Sequence, residues 1–350
     1  MLKTNHFIYI LNDNCYNHLR QEAGGLNMIK DILVFSLSSN IELTDKVCAY
    51  LGIDRSQAEI HHFADGEVLA TSKADVRGKK IYIIQSTCAP VNDRIMETLI
   101  FIDGIKRANC KEITLICPYF GYARQDRIAH MNEPISARMI ADLFVNAGVS
   151  RIVTIELHTP QIQGFFSIPN DNLSPAVIYA KYLNEKFSKR SDVAGKIAIV
   201  APDHGAIYRA RDLANFIPNT SLVVIDKRRP KPNVAEITSI IGDIEDKICI
   251  MIDDIIDTGG TIIAGAHILK EKGAKEVYIC CAHALFNNNA QAKFENNNDI
   301  TEVITTDTVR HPEFTNSKKI TVLSIAEMVS DVIKSHESHE AIKDKYSRFH

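Results

Sequence analysis

The sequence predicts an α/β protein of two similar halves, each a mainly parallel sheet covered by helices. Three observations carry this. Short apolar runs alternate with amphipathic stretches of about 10–15 residues, the pattern of βαβ units. Runs such as ICIMI (248–252) lack polar alternation, as strands buried on both faces require. The pattern also restarts after the polar stretch Pro169–Ser174. At about 150 residues per domain, a chain of 350 residues fits two cores.

In the first half, DILVFSL (31–37) reads as a strand, and Ser38, Ser39 and Asn40 are polar N-cap candidates for the helix IELTDKVCAYLG (41–52). The strand KIYIIQS (80–86) leads to a helix over Val91–Ala108, ITLICPY (113–119) to one over Ile135–Ala147, and RIVTIEL (151–157) is a further strand. In the second half, KIAIVAP (196–202), SLVVID (221–226), KICIMID (247–253), EVYICCAH (276–283), TEVITTD (301–307) and KITVLS (319–324) are strands. The expected division is an extension over residues 1–27, domains over 28–172 and 173–335, and a charged tail over 336–350.

Charge and composition exclude several classes. Lys plus Arg total 40 against 43 for Asp plus Glu, without the basic excess of a general nucleic-acid binder. No run approaches the roughly 18 apolar residues of a transmembrane helix. The apolar patch Phe7–Leu11 is too short and poorly flanked for a secretory signal. The eight cysteines form no C-x-x-C pair, and most lie in apolar runs, so they read as small buried hydrophobes in a reducing compartment. A cytoplasmic location is expected, with no membrane or nucleic-acid partner.

The segment ICIMIDDIIDTGGTI (248–262) says most about chemistry. A buried strand runs into Asp253 and Asp254, then a turn carries Asp257, Thr258, Gly259, Gly260 and Thr261 into a helix. Two glycines and two hydroxyls at such a turn let backbone N–H groups close round a phosphate, and the helix N-terminus adds donors and a favourable dipole. Carboxylates beside a phosphate would repel it. They make sense at the other end of the ligand, accepting hydrogen bonds from sugar hydroxyls or holding Mg²⁺. A sugar phosphate meets both demands; the competing reading is an acidic turn with a glycine cap.

This string resembles the ribose-phosphate-binding motif of type I phosphoribosyltransferases and of ribose-phosphate diphosphokinases (pyrophosphokinases). FADGE (63–67), PYFGYARQDR (118–127), ELHTPQIQGFF (156–166), APDHG (201–205) and DKRRP (226–230) resemble segments of the second family, in its order. The resemblance spans nearly all of the chain beyond residue 28. It implies two domains of the type I phosphoribosyltransferase kind and Mg²⁺-dependent transfer of the diphosphate of ATP to ribose 5-phosphate. It further implies that Phe63, Asp65, Glu67, Arg124, Gln125, Asp126 and His158 bind ATP. Asp253, Asp254, Asp257, Thr258, Gly259, Gly260 and Thr261, with Arg229, would bind ribose 5-phosphate. Lys227 and Arg229 become the catalytic cations, and His158 and Asp203 the residues associated with Mg²⁺. Because the family's ATP site lies between subunits, the resemblance implies a homo-oligomer, a hexamer.

Taken alone, several of these residues read otherwise. Phe63 reads as core, His158 as a structurally satisfied histidine, and KRRPKP (227–232) as a nuclear address or a solvated charge run. Imidazole also suits Mg²⁺ poorly, since this ion prefers oxygen. The chain departs from the family pattern as well. Ile128, His130 and Asn132 stand at commonly basic positions of the loop 128–134, and Glu156 and Ser167 replace aspartates often associated with metal. A catalytically silent regulatory subunit and a phosphoribosyltransferase are the alternatives; FADGE paired with ARQD argues against the latter.

Overall fold

The computed structural model describes residues 31–231, 234–342 and 346, and of 227–231 and 234–238 the backbone alone. The expected extension 1–27, and residues 343–345 and 347–350 of the expected tail, lie outside the described residues.

The first half runs β1 (Ile32–Ser36), α1 (Ile41–Leu51), β2 (Ala58–His62), β3 (Val68–Ser72), β4 (Lys80–Ile84), α2 (Val91–Arg107), β5 (Glu112–Cys117), α3 (Ser136–Ala147), β6 (Arg151–Ile155) and β7 (Asn170–Leu173). The second runs α4 (Ala176–Phe187), β8 (Ile197–Ala201), α5 (Ile207–Ala214), β9 (Thr220–Lys231), β10 (Val234–Ile241), β11 (Ile248–Ile256), α6 (Gly260–Glu271), β12 (Glu276–Ala284), α7 (Ala290–Glu295), β13 (Glu302–Thr306), β14 (Ile320–Leu323) and α8 (Ala326–Ser338).

The first sheet has the order β1-β4-β5-β6-β7, all parallel. The second has the order β10-β9-β8-β11-β12-β13-β14, parallel except for the β9–β10 pair. Side chains alternate between two cores in each sheet, as the two-residue period of a strand dictates. Cys249 and Met251 face α6 and α7, while Ile248, Ile250 and Ile252 face α4 and α5. That two-sided burial is why ICIMI shows no polar alternation. Asn40 caps α1, its Oδ1 accepting the Leu43 N–H at 3.1 Å. The seven described cysteines are free thiols, six of them buried, and burial pushes the Cys48 and Cys117 thiols up to about 12.

Three features differ from the sequence-based expectations. The stretch 169–174, read as a boundary, contains the edge strand β7; its Asn172 Oδ1 accepts from Leu157 N at 3.1 Å. The strands β2, β3 and β10 were not foreseen: β2 and β3 form an antiparallel hairpin packed on α2, and β10 is an edge strand. Third, α8 was assigned up to Ser335 to the second half, yet it packs on the first sheet beside α1. Its Ala326, Met328, Val329, Val332 and Ile333 fill the face formed by Val34, Ile84, Ile116 and Val153. Tyr346 joins the same core, its hydroxyl donating to Asp331 Oδ2 at 3.2 Å, so part of the expected charged tail is anchored. The chain therefore crosses between the sheets twice, after β7 and after β14.

Candidate active site

In the second sheet the strand order reverses between β8 and β11. In open parallel sheets, ligands bind beyond the strand C-termini at such a reversal. Asp203 follows β8, Asp253 and Asp254 lie at the end of β11, and Asp257–Thr261 lead into α6. Gly259 sits at φ +78°, a left-handed conformation, and an added Cβ there would come 2.7 Å from the Phe294 ring. Only glycine fits this turn, which presents Thr258, Gly260 and Thr261 to solvent at the start of α6. Lys293 of α7 buttresses the turn from behind, donating to the Thr258 carbonyl at 3.2 Å.

Behind the turn lies a buried charged network. Asp254 Oδ2 meets His158 Nδ1 at 2.7 Å, and Asp254 Oδ1 lies 3.3 Å from Arg209 Nη2. Arg209 Nε donates to Glu156 Oε1 at 2.9 Å, and Nη2 donates to the His158 carbonyl at 2.6 Å. Burial alone would raise the Asp254 carboxyl, but Arg209 and His158 outweigh it and hold this acid below the usual range. Asp253 goes the other way: burial, then repulsion from Asp254, pushes its carboxyl well above the usual range. The two neighbouring carboxyls thus sit in opposed electrostatic settings. Asp203 contributes to the repulsion on Asp253, and its Oδ1 accepts the Ala206 N–H at 3.1 Å.

The first half reaches this site through its own strand ends. Arg124 Nη1 pairs with Asp257 Oδ2 at 2.7 Å, and Asn287 Nδ2 donates to Asp257 Oδ1 at 2.7 Å. Asp126 accepts from Thr159 Oγ1 at 2.7 Å, one residue after His158. Gln125 takes a supporting position, its Oε1 and carbonyl meeting Ser136 and the Ala137 N–H at the start of α3. Phe63, Asp65 and Glu67 are exposed at the β2–β3 turn, and the turn's hydrogen bonds stay inside it: Phe63 N to Glu67 O at 2.8 Å and Glu67 N to Asp65 Oδ1 at 3.1 Å. The structure thus gathers Arg124, Asp126, His158 and the Asp253–Thr261 turn, with Asp203, but leaves the hairpin residues apart. Lys227 and Arg229 lie on β9 beyond its pairing with β8, where Lys227 is opposite Ile237 of β10; their side chains lie outside the described residues.

Among the described residues, no group of three or more His, Cys, Asp or Glu is arranged to hold a metal ion. Mg²⁺ does not need such a cage: it keeps waters and binds through one or two carboxylates plus substrate phosphates. Asp203 with the Asp253–Asp254 row fits an ion shared in that way. His158 fits less well as a direct ligand, because this hard ion prefers oxygen to imidazole nitrogen.

The family model for the N-terminal domain of ribose phosphate pyrophosphokinase matches residues 32–148, and that for the phosphoribosyl synthetase-associated domain matches residues 211–346. A ribose-phosphate pyrophosphokinase of Oceanobacillus iheyensis is 48% identical over 305 residues, covering 87% of this chain and 94% of that protein. The chain belongs to the ribose-phosphate pyrophosphokinase family. A ribose-phosphate pyrophosphokinase of Fusobacterium nucleatum is 42% identical over 317 residues, covering 91% of this chain and 98% of that protein. The crystal structure of phosphoribosylpyrophosphate synthetase from Mycobacterium smegmatis superposes with a TM-score of 0.81 at 35% identity, covering 89% of this chain and all of that one. The expected family, fold class and enzyme class therefore hold. No helix among the described residues is long and apolar enough to cross a membrane.

Glu156 is 4% exposed, and its carboxylate is engaged by Arg209. Four residues of the site escaped sequence reasoning: Arg209, Asn287, Lys293 and Thr159. Thr159 lies within ELHTPQIQGFF (156–166), but no sequence signal marks the other three, since each acts through a partner distant in the chain.

Proposed function

We propose that this chain transfers the diphosphoryl group of ATP to the C1 hydroxyl of ribose 5-phosphate, giving 5-phosphoribosyl 1-diphosphate and AMP, with Mg²⁺ required. The observation that carries this reading is the turn at Asp257–Thr261, opening α6 beside half-buried Asp253 and buried Asp254, with Arg124 of the other half paired to Asp257. In this reading the turn's N–H groups and hydroxyls bind the 5-phosphate, and Asp253 and Asp254 hold the sugar hydroxyls. Phe63, Asp65, Glu67, Arg124, Gln125, Asp126 and His158 bind ATP, the aromatic ring and the Arg plane offering stacking surfaces for the base. The C1 oxygen attacks the β-phosphorus, and the α-phosphate leaves as AMP. Lys227 and Arg229 stabilise the charge that builds on both phosphates. Mg²⁺, held by Asp203 and indirectly by His158, supplies further charge neutralisation when bound.

The test is incubation with ATP, Mg²⁺ and ribose 5-phosphate, followed by separation of the nucleotides. AMP release that depends on the sugar phosphate is expected. ADP would mean ordinary kinase chemistry, and no turnover together with incorporation into an active relative's oligomer would mean a regulatory subunit. We take the assembly to be a homo-oligomer, a hexamer by resemblance. Phe63 is 45% exposed on a hairpin apart from its own chain's site, so it is free to serve a neighbour's. A monomer by light scattering at working concentration overturns this.

Two variants probe the site's parts. Gly259→Ala forces a left-handed alanine against the Phe294 ring, a strain of about 1–3 kcal/mol, and weakens ribose 5-phosphate binding by about tenfold or more; unchanged affinity in a calorimetric titration removes the turn from the site. The loop 128–134 offers Ile128, at 62% exposure, where a cation is expected, and Glu133 accepts the Ala129 and His130 N–H groups. Ile128→Lys with His130→Arg therefore raises kcat more than it lowers KM for ribose 5-phosphate, since the added charge acts where the transition state develops it. A double variant no faster than the parent rules that role out.

A further inference from the structure

We propose that Arg209 is a positioning residue for this reaction: one guanidinium grips the His158 backbone from the first sheet and Asp254 from the second, and so sets the orientation of the His158–Asp254 pair. This rests on the functional reading above and adds to it a residue that carries no substrate contact.

Arg209 stands in the first turn of α5, in the string YRARD (208–212), where an arginine reads as a solvated cation on an amphipathic helix. Its side chain is instead 4% exposed. Burying a guanidinium costs several kcal/mol unless its donors are satisfied. Here Nε and Nη2 are engaged, and by both halves of the molecule. Nε donates to Glu156 Oε1 at 2.9 Å; Nη2 donates to the carbonyls of His158 at 2.6 Å and Leu157 at 3.4 Å, and lies 3.3 Å from Asp254 Oδ1. The Tyr208 ring packs 4.6 Å from the guanidinium carbon.

These contacts close a ring. Arg209 holds the His158 carbonyl directly, and it holds the His158 imidazole through Asp254, whose other oxygen bonds Nδ1 at 2.7 Å. Backbone and ring of His158 are thereby referred to a single group. Glu156, at φ +47°, turns the chain sharply just past β6, a conformation that costs a non-glycine residue about 1–2 kcal/mol. The same residue supplies the carboxylate that anchors Nε, so the turn and its anchor are one side chain. A lysine at position 209 would keep the charge but not the planar fork that reaches Glu156 and Asp254 at once.

The test compares Arg209→Lys with Arg190→Lys. Arg190 is also multiply bonded, to Glu276 and Asp192, but Glu276 begins β12, at the end of the sheet away from the site. Two readouts are taken on the full-length protein: kcat and KM for AMP release, and amide hydrogen exchange over residues 155–159 and 252–258. Arg209→Lys is expected to lower kcat about 10–100-fold with each KM within about threefold, the usual size for a group that orients another. It is also expected to lose exchange protection in both segments, one from each sheet. Arg190→Lys, even if it lowers the melting temperature as much, leaves both segments and kcat as in the wild type. Unchanged kcat in Arg209→Lys, or unchanged protection in both segments, overturns the proposal, as does an Arg190→Lys variant that loses as much kcat. If the wild type releases no AMP, the functional reading fails, while the exchange comparison still decides whether Arg209 couples the two segments.

Discussion

Replacing Lys227 with alanine lowers turnover by about 10²–10³-fold, the usual effect of removing one preorganised donor aimed at developing charge. Ribose 5-phosphate binding stays largely intact, because the turn at Asp257–Thr261 is built by α6 and β11 without Lys227. The backbone of Lys227 continues β9 past its last pairing with β8, Ala201 with Val224, on the side of the sheet where Asp203 and Asp253 emerge. In the proposed reaction this cation acts on the phosphates that change charge, and the 5-phosphate does not change charge. AMP release and a calorimetric titration with ribose 5-phosphate check the two halves of the statement. Near-normal turnover would remove Lys227 from the mechanism.

The second large effect is expected at Asp254. Asp254→Asn removes the charge that balances Arg209 from one side and turns one of the two oxygens that serve Arg209 Nη2 and His158 Nδ1 into an NH₂ donor. Breaking one partner of a buried ion pair costs about 3–5 kcal/mol; here the cost falls near the lower end, because Glu156 still faces Arg209. Turnover falls with stability but by more than the unfolded fraction accounts for, since a sugar-hydroxyl acceptor is lost as well. Denaturant unfolding beside steady-state kinetics separates the two, and a variant that is destabilised yet fully active when folded would confine Asp254 to structure.

How far the sequence disclosed this molecule depends on where each residue's partners lie. ICIMI and ITLIC announced their strands because each is buried on both faces, so local composition already records the environment. The β7 residues Asn170–Leu173 carry no such mark: an edge strand needs apolar neighbours on one side only, and NDNL is mostly polar. The β2–β3 hairpin is short and largely exposed for the same reason. In the site, the Thr258–Thr261 turn was legible because its demand falls on the backbone, which only a few residue types satisfy. Arg209 was not: its helix looks amphipathic, and only the approach of Glu156, 53 residues earlier, tells why the charge is inside.

The return of α8 to the first sheet has a practical consequence for anyone cutting this chain. The first half is not a contiguous stretch of sequence, so a fragment ending at β7 lacks the helix that covers Val34, Ile84, Ile116 and Val153. Such a fragment would expose an aliphatic sheet face to water, and association or aggregation is its natural outcome. A truncation just after β14 would damage the other half, leaving the Asp257–Thr261 turn intact in sequence while the sheet carrying Arg124 and His158 loses its cover. A helix that follows the whole second sheet thus closes the core of the first, so the half of the site at Arg124 and His158 gains its support only after β14 has been made.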